Sequence, residues 1–437
     1  MQPSFNKTKA KLSLLPLLVF VGLFLGAGLY LQSQGVDYAF YQLPAPVAIL
    51  PAIMLAFILN KNTINHSFET FIKGAGHSNI ITMCLIYLLA GAFSAVAGAT
   101  GGVDAVVNAG LSLIPPALLL PGLFLIAAVV STAMGTSMGT IGAIGPIAYA
   151  VAQKTGIDPS LMAGTIVSGA MFGDNLSIIS DTTIAATRTQ GCEMKDKFRE
   201  NLKIALPAAA LTIGLLFFLT PTAEAVETQD FDILLVLPYA FILVLAVMGF
   251  NVFVVLFSGI IFAALMGFTG SYEGASFVKD VYKGFTDMQE IFLLSMFIGG
   301  LSEFIRINGG LDYIANKIQA ITKVIAKWHR KVADQLGIAA LVMTSNLCIA
   351  NNTVSIIVAG PIAKKLADDG EITGKRSASL LDIFACVTQG SLPYGAQALL
   401  LGATFKISPW EVSTSSYYCF ILAFTAVAVI CLRRNKA

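Results

Sequence analysis

The chain has 437 residues, 56% of them hydrophobic and 12% charged, with a formal net charge of +2. Soluble domains carry about 25% charged residues, and the mean hydropathy here is +0.78. The composition excludes a globular domain with a single anchor and implies an all-α polytopic membrane protein.

In chain order, Lys7 to Lys11 precede an apolar run from Leu12 to Leu31. The run is long and has no small-x-small cleavage site, so it reads as a retained first helix and not a signal peptide. Spans of about 17–21 residues follow at 44–60, 78–97, 204–220, 232–248, 252–268, 289–307 and 413–432. Residues 115–150 and 332–366 are longer, about 36 residues, which is long for one crossing at ~1.5 Å per residue. Gly, Pro, Ser, Thr and Asn stud their middles. Each fits a re-entrant hairpin, with tips at Ser131–Thr140 and Thr344–Thr353. Residues 161–187 and 379–402 are single crossings interrupted by polar residues. The segments 68–77 and 309–331 alternate basic and apolar residues, which suits helices at the cytoplasmic interface, with Trp328 as an anchor.

The chain repeats itself. Gly91, Ser94, Gly101, Gly102, Asp104 and Asn108 recur 208 residues on as Gly299, Ser302, Gly309, Gly310, Asp312 and Asn316. Gly145-Pro146-Ile147-Ala148 recurs 215 residues on as Gly360-Pro361-Ile362-Ala363. Duplication with broken, polar-seeded helices is the construction of secondary transporters. It divides the chain into repeats over 1–221 and 222–437. Each has three transmembrane helices, a re-entrant hairpin, a discontinuous transmembrane helix and a final transmembrane helix. Five crossings per repeat make the second inverted relative to the first. With both termini cytoplasmic, of 27 Lys and Arg only Lys154, Lys279, Lys283 and Lys406 fall outside, as the positive-inside rule requires. The loops 33–43 and 221–231 carry no Lys or Arg and suit the outside. The expected location is the inner (plasma) membrane.

The densest polar cluster at membrane depth runs from Gly173 to Thr183. Two carboxylates in an apolar span cost roughly 2.5–3.5 kcal/mol each on insertion scales, so something must offset them: a cation, a proton or a partner charge. Asp174, Asn175, Ser177, Ser180, Asp181 and Thr182 make a hard-oxygen set suited to Na+ and open to competition by H+. In an unbroken helix Asp174, Ser177 and Asp181 would share a face. The alternative role is hydrogen bonding within a broken helix. At an offset of 216, Gln397 aligns with Asp181 and Ser391 with Asn175, so the second copy keeps polar atoms and loses the charges. Gln389, Ser391, Tyr394 and Gln397 form a candidate second site. It is joined by the hairpin tips Thr136, Ser137, Asn346, Asn351, Asn352 and Thr353, whose half-helix N-termini offer N–H groups. Close helix packing by small residues is the alternative at the tips. Glu303 and Arg306 are spaced for a salt bridge. Asp104 and Asp312 read as helix N-caps.

The segment Gly173-Asp174-Asn175-Leu176-Ser177-Ile178-Ile179-Ser180-Asp181-Thr182-Thr183 resembles the G-D-x-x-S-P-x-S-D-T-T signature of the NhaC-type Na+/H+ antiporter family, within the ion-transporter superfamily. Ile178 stands where that signature has Pro. The resemblance implies inverted repeats, elevator motion, a homodimer, and Asp174 and Asp181 as cation (Na+) ligands. Relatives bearing this signature include both cation/proton exchangers and carriers of amino acids or organic anions. Two functions therefore stand: Na+/H+ antiport by alternating access, and Na+-coupled transport of a small organic solute such as an amino acid. Na+ and H+ are the coupling ions, no cofactor is expected, and the partners are small ions or a solute and the lipid bilayer, not nucleic acid. An intramembrane enzyme is disfavoured, since GxGD and HExxH are absent and no buried His serves a Ser nucleophile. The absence of a P-loop motif argues against ATP-driven transport. The six cysteines lack CxxC spacing and read as small core residues, with no disulfide or metal site.

Overall fold

The computed structural model describes residues 7–432 apart from 37–38, 40–41, 61–62, 114, 179, 221–230 and 271. Most of the expected loop 221–231, the basic residues Lys61, Arg433, Arg434 and Lys436, and the side chain of Trp328 lie outside that description. Every regular element among the described residues is helical.

The first half runs α1 (Lys7–Leu12), α2 (Leu15–Ser33), α3 (Ala45–Ala48), α4 (Leu50–Leu59), α5 (Ile64–Ala75), α6 (Ser78–Ala99), α7 (Gly102–Leu113), α8 (Leu119–Met134), α9 (Ser137–Thr155), α10 (Pro159–Leu176), α11 (Asp181–Gln190) and α12 (Met194–Leu219). The second runs α13 (Ile233–Val247), α14 (Val252–Phe268), α15 (Gly274–Asp287), α16 (Gln289–Ile307), α17 (Gly310–Ile349), α18 (Asn352–Asp369), α19 (Gly374–Gly390), α20 (Ala396–Phe405), α21 (Pro409–Thr414) and α22 (Tyr417–Leu432). Four of the described segments are long and apolar enough to cross a membrane: Thr8–Leu31, Ser78–Ala99, Met194–Leu219 and Arg330–Ile349. Large apolar side chains such as Phe218, Ile58 and Phe424 stand exposed on apolar helices, the pattern of a surface solvated by lipid.

Both long polar tracts are helical hairpins. α8 turns into α9 through Gly135, and α17 turns into α18 through Ala350; both residues are left-handed, with φ 69° and 53°. Thr136 and Asn351 then cap the returning helices, their side chains accepting from the backbone N–H of Gly139 and Val354. The crossing at 161–187 is broken into α10 and α11, and that at 379–402 into α19 and α20.

Several expectations change. The span 44–60 is two helices, because Pro51 in the first turn of α4 cannot donate the amide that would continue α3. Residues 309–331 are not a separate interfacial helix. They continue without a breaker into the hairpin as the 40-residue α17, about 60 Å long at 1.5 Å per residue. Asp104 and Asp312 sit inside the first turns of α7 and α17 and not at their N-cap positions, and their charge there suits the helix dipole. The helices α7, α15 and α21 were not expected.

Where the halves meet, α6 and α16 touch through residues 208 apart: Tyr87 Oη lies 3.2 Å from Ser295 Oγ, and Cys84 Sγ donates to the Phe292 carbonyl at 3.7 Å. The helix α5 packs on α16 and α15 packs on α6. A Cβ on Gly91 of α6 would strike the Gly284 carbonyl of α15, and one on Gly74 of α5 would strike the Gly299 carbonyl of α16. Backbones approach this closely only where both side chains are absent.

Candidate functional site

The α10–α11 break creates the site. α10 ends at Leu176, Ser177 is extended (φ −68°, ψ 131°), and Ser180 restarts the chain by capping α11 from Thr183 N–H. Asp174 is therefore in the last turn of one half-helix and Asp181 is the first residue of the next. They do not share a face of one continuous helix with Ser177. What brings them together is the cavity.

That cavity, of about 110 Å3, lies between the two hairpin tips and the start of α6. It is lined by Asp174, Asp181 and Thr182 from the break, Thr136 and Ser137 from one tip, and Asn351, Asn352 and Thr353 from the other. Gln389 and Gln397 face it across the second break, and Asn79, Thr82, Met83 and Ile86 of α6 close the remaining side. Asp174 is only 4% exposed, whereas Asp181 is open. Donors run one way through the wall. Gln389 Nε2 donates to Gln397 Oε1 (2.8 Å), Gln397 Nε2 to Ser137 Oγ (3.2 Å), and Ser137 Oγ to Asp174 Oδ2 (3.1 Å). A relay of donors ending on a carboxylate suits the ionised form, and the oxygens around it make a hard-ligand set.

Six of the sequence candidates lie elsewhere. Ser177 Oγ donates to the Thr132 carbonyl (2.9 Å), tying the break to the hairpin. Ser180 holds the α11 cap and reaches Thr182 Oγ1 at 2.9 Å. Asn346 Nδ2 donates to the Ala385 carbonyl (2.9 Å), Tyr394 Oη to the Leu347 carbonyl (2.7 Å), and Ser391 Oγ to Val387 of its own helix (2.7 Å). Asn175 turns to the back of the break, where its side chain donates to Asp382 Oδ2 at 3.3 Å and accepts from Tyr418 Oη at 3.2 Å.

Behind the break lies a cluster that the sequence pattern did not reveal. Lys197, which the charge pattern places among solvated cytoplasmic residues, is 1% exposed and its Nζ sits 2.7 Å from Asp382 Oδ2, itself fully buried. Lys197 also donates to Thr183 Oγ1 (2.7 Å) and to the Asn175 carbonyl (3.2 Å). Asp382 was legible as the lone charge in the run Leu380-Leu381-Asp382-Ile383-Phe384. Lys197 was hidden among the charges of Lys195 to Glu200.

Toward the end of α16, Glu303 binds Arg306 through two 2.6 Å contacts and lies 4.0 Å from Lys73, the expected salt bridge. A separate cavity of about 650 Å3 lies along the other end of α6, between Gly91 and Ala99. Asp280, Lys283, Asp287, Glu290 and Lys406 contribute charge to its walls.

Comparison with known proteins finds antiporters. The model of the Na+/H+ antiporter family matches residues 5–220. The chain is 24% identical over 425 residues to the malate-2H(+)/Na(+)-lactate antiporter of Bacillus subtilis, covering 89% of each chain. It is 25% identical over 377 residues to the Na(+)/H(+) antiporter NhaC of Alkalihalophilus pseudofirmus, covering 78% of this chain and 80% of that one. It is 24% identical over 424 residues to the arginine/ornithine antiporter ArcD of Halobacterium salinarum, covering 89% and 86%. With its helices built for a bilayer, the chain is a secondary antiporter, and over residues 5–220 it is similar to the Na+/H+ antiporter family.

Proposed function

We propose that the protein exchanges Na+ for H+ across the inner membrane, with Asp174 as the group that holds either ion. The observation that carries this reading is a buried carboxylate facing a small polar cavity whose other buried lining groups are neutral. A buried carboxylate without a counter-charge is costly, and either Na+ or a proton relieves that cost, so the two compete for one place. Asp181, Thr136, Thr182 and the Ser137 hydroxyl complete a hard-oxygen shell. The cavity's size supports an ion: about 110 Å3 is roughly four waters' share of liquid volume.

The halves are read as inverted repeats over 1–221 and 222–437, with both termini cytoplasmic. The contacts between Tyr87 and Ser295 and between Gly91 and Gly284, matched by Gly74 and Gly299, support this. The same close contacts favour α5, α6, α15 and α16 as one fixed frame, past which the hairpins and broken helices move as an elevator. The 650 Å3 cavity would then be the vestibule on the opposite face.

A second reading is Na+-coupled exchange of an organic solute. The uncharged wall of Gln389, Gln397, Asn351, Asn352 and Thr353 favours it, as do relatives named for malate, lactate, arginine and ornithine. Proteoliposomes enclosing a pH-sensitive dye separate the two. An imposed Na+ gradient should drive proton counterflow that vanishes in Asp174→Asn. Silence in the wild type, relieved only by added amino or hydroxy acids, would transfer the assignment to the solute carrier.

A further inference from the structure

The Lys197 ammonium sits in an oxygen cradle. Its three N–H groups meet three oxygens of three kinds: the Asp382 carboxylate, the Thr183 hydroxyl and the Asn175 carbonyl, at 2.7, 2.7 and 3.2 Å. Carboxylate, hydroxyl and backbone carbonyl are the ligand types that hard monovalent cations use.

The cradle is also held together without the lysine. Asn201 Nδ2 donates to both the Asn175 carbonyl (2.8 Å) and Asp382 Oδ2 (2.7 Å). Thr183 Oγ1 donates to the Ser177 carbonyl (2.7 Å) and accepts from Ser180 Oγ (3.0 Å). Two more buried oxygens of the cluster, Asp382 Oδ1 and Asn201 Oδ1, have no hydrogen-bond partner among the described residues. A buried carboxylate oxygen without a donor is an exception in folded proteins, and here it lies beside a preformed set of cation ligands.

We propose that this cradle, formed by Asp382, Thr183 and Asn175 behind the α10–α11 break, is a second monovalent-cation site, occupied from within by the tethered ammonium of Lys197. The lysine reaches it from α12 while Asp382 comes from α19, so the internal cation ties the two halves of the chain together. If the first site exchanges Na+ for H+ as proposed above, Lys197 leaves that site as the only exchangeable one in the mobile body.

The test needs no transport and so fails or succeeds independently of the antiport reading. Thermal unfolding of the purified full chain is followed in chloride salts of choline, Na+ or n-propylammonium at equal ionic strength. Lys197→Ala removes three carbons and the nitrogen, the outline of propylammonium. Propylammonium should raise its unfolding midpoint saturably, choline should not, and the wild type should ignore both. Na+ should do the same in Lys197→Ala combined with Asp174→Asn, where the first site is disabled. Lys197→Met, which refills the stem, should lose the propylammonium response, and so should Lys197→Ala with Asp382→Asn. A folded Lys197→Ala chain that is indifferent to propylammonium would overturn the proposal, as would a response that survives Asp382→Asn. The proposal also fails if Lys197→Ala is unfolded in every salt while the doubly neutral Lys197→Met, Asp382→Asn chain is folded.

Discussion

At the first helix break Ser131 Oγ donates to the Ala170 carbonyl at 2.6 Å; at the second, Asn346 Nδ2 donates to the Ala385 carbonyl at 2.9 Å, both partners 215 residues on. Ser177 reaches the Thr132 carbonyl as Tyr394 reaches that of Leu347. The left-handed turns fall at Gly135 and Ala350, and the caps at Thr136 and Asn351. At the same offset the likeness ends: Asp174 is matched by Gln389, and Asp181 by Gln397 one residue further. Frame and chemistry have separated. The hydrogen bonds that hold a hairpin against a broken helix are kept in both copies by different side chains. Of the two breaks, only the first turns carboxylates toward the cavity; Asp382 on the second broken helix is buried behind it and paired with Lys197.

The largest effect expected from breaking this asymmetry is on stability. Lys197→Met strands Asp382, and an uncompensated buried charge costs about 3–5 kcal/mol. Denaturant unfolding should show that loss, with most of it regained in Lys197→Met, Asp382→Asn. Next comes the comparison itself. Asp174→Asn should weaken Na+ binding by about 100-fold, since a contact to a charged group worth ~3 kcal/mol corresponds to two decades. Gln389→Asn, at the equivalent place, should change it by about tenfold or less, the value of a neutral hydrogen bond. Titrations of Na+ binding to the purified proteins check both. Equal losses would mean that the two breaks share the chemistry as well as the frame.

The turns sharpen the frame. Ala350 has a side chain in a left-handed conformation that costs roughly 1–2 kcal/mol, so Ala350→Gly should stabilise the fold by about 0.5–1 kcal/mol after the entropy of the freer unfolded chain. Gly135→Ala should destabilise it by about 1 kcal/mol.

The smallest effect is at the start of α10. Burial raises the Asp158 carboxyl, but donation from Ser160 Oγ and from the backbone of Leu161 and Ser160 outweighs it and holds the group below its usual range. A depressed value in the folded state contributes stability above the unfolded value of about 3.9, lost as pH falls through the folded one. Asp158→Ala should therefore cost about 1 kcal/mol at neutral pH, and the gap from wild type should narrow below about pH 4.

Much of the frame was legible because backbone breakers and polar tips announce themselves against apolar sequence. Gly135, Ser137, Asn351 and the run from Gly173 to Thr183 marked the hairpins and the first break directly. The partition of the polar cluster was not legible. Asp174 and Asn175 are neighbours in sequence, yet one lines the cavity and the other joins Lys197 behind it, because helix geometry points consecutive side chains about 100° apart. Lys197 and Asp382 are 185 residues apart, and only tertiary packing pairs them. The merger of 309–331 into α17 was hidden because its basic residues suggested an interface while nothing in them stops a helix.

The central claim is that one buried carboxylate holds either Na+ or a proton. Adding Na+ to the purified protein in weakly buffered detergent solution, and titrating the protons released, tests it directly. Release that saturates with Na+, is absent in Asp174→Asn and persists in Ser391→Ala is the predicted result. Na+ binding without proton release, or release undiminished in Asp174→Asn, would contradict it.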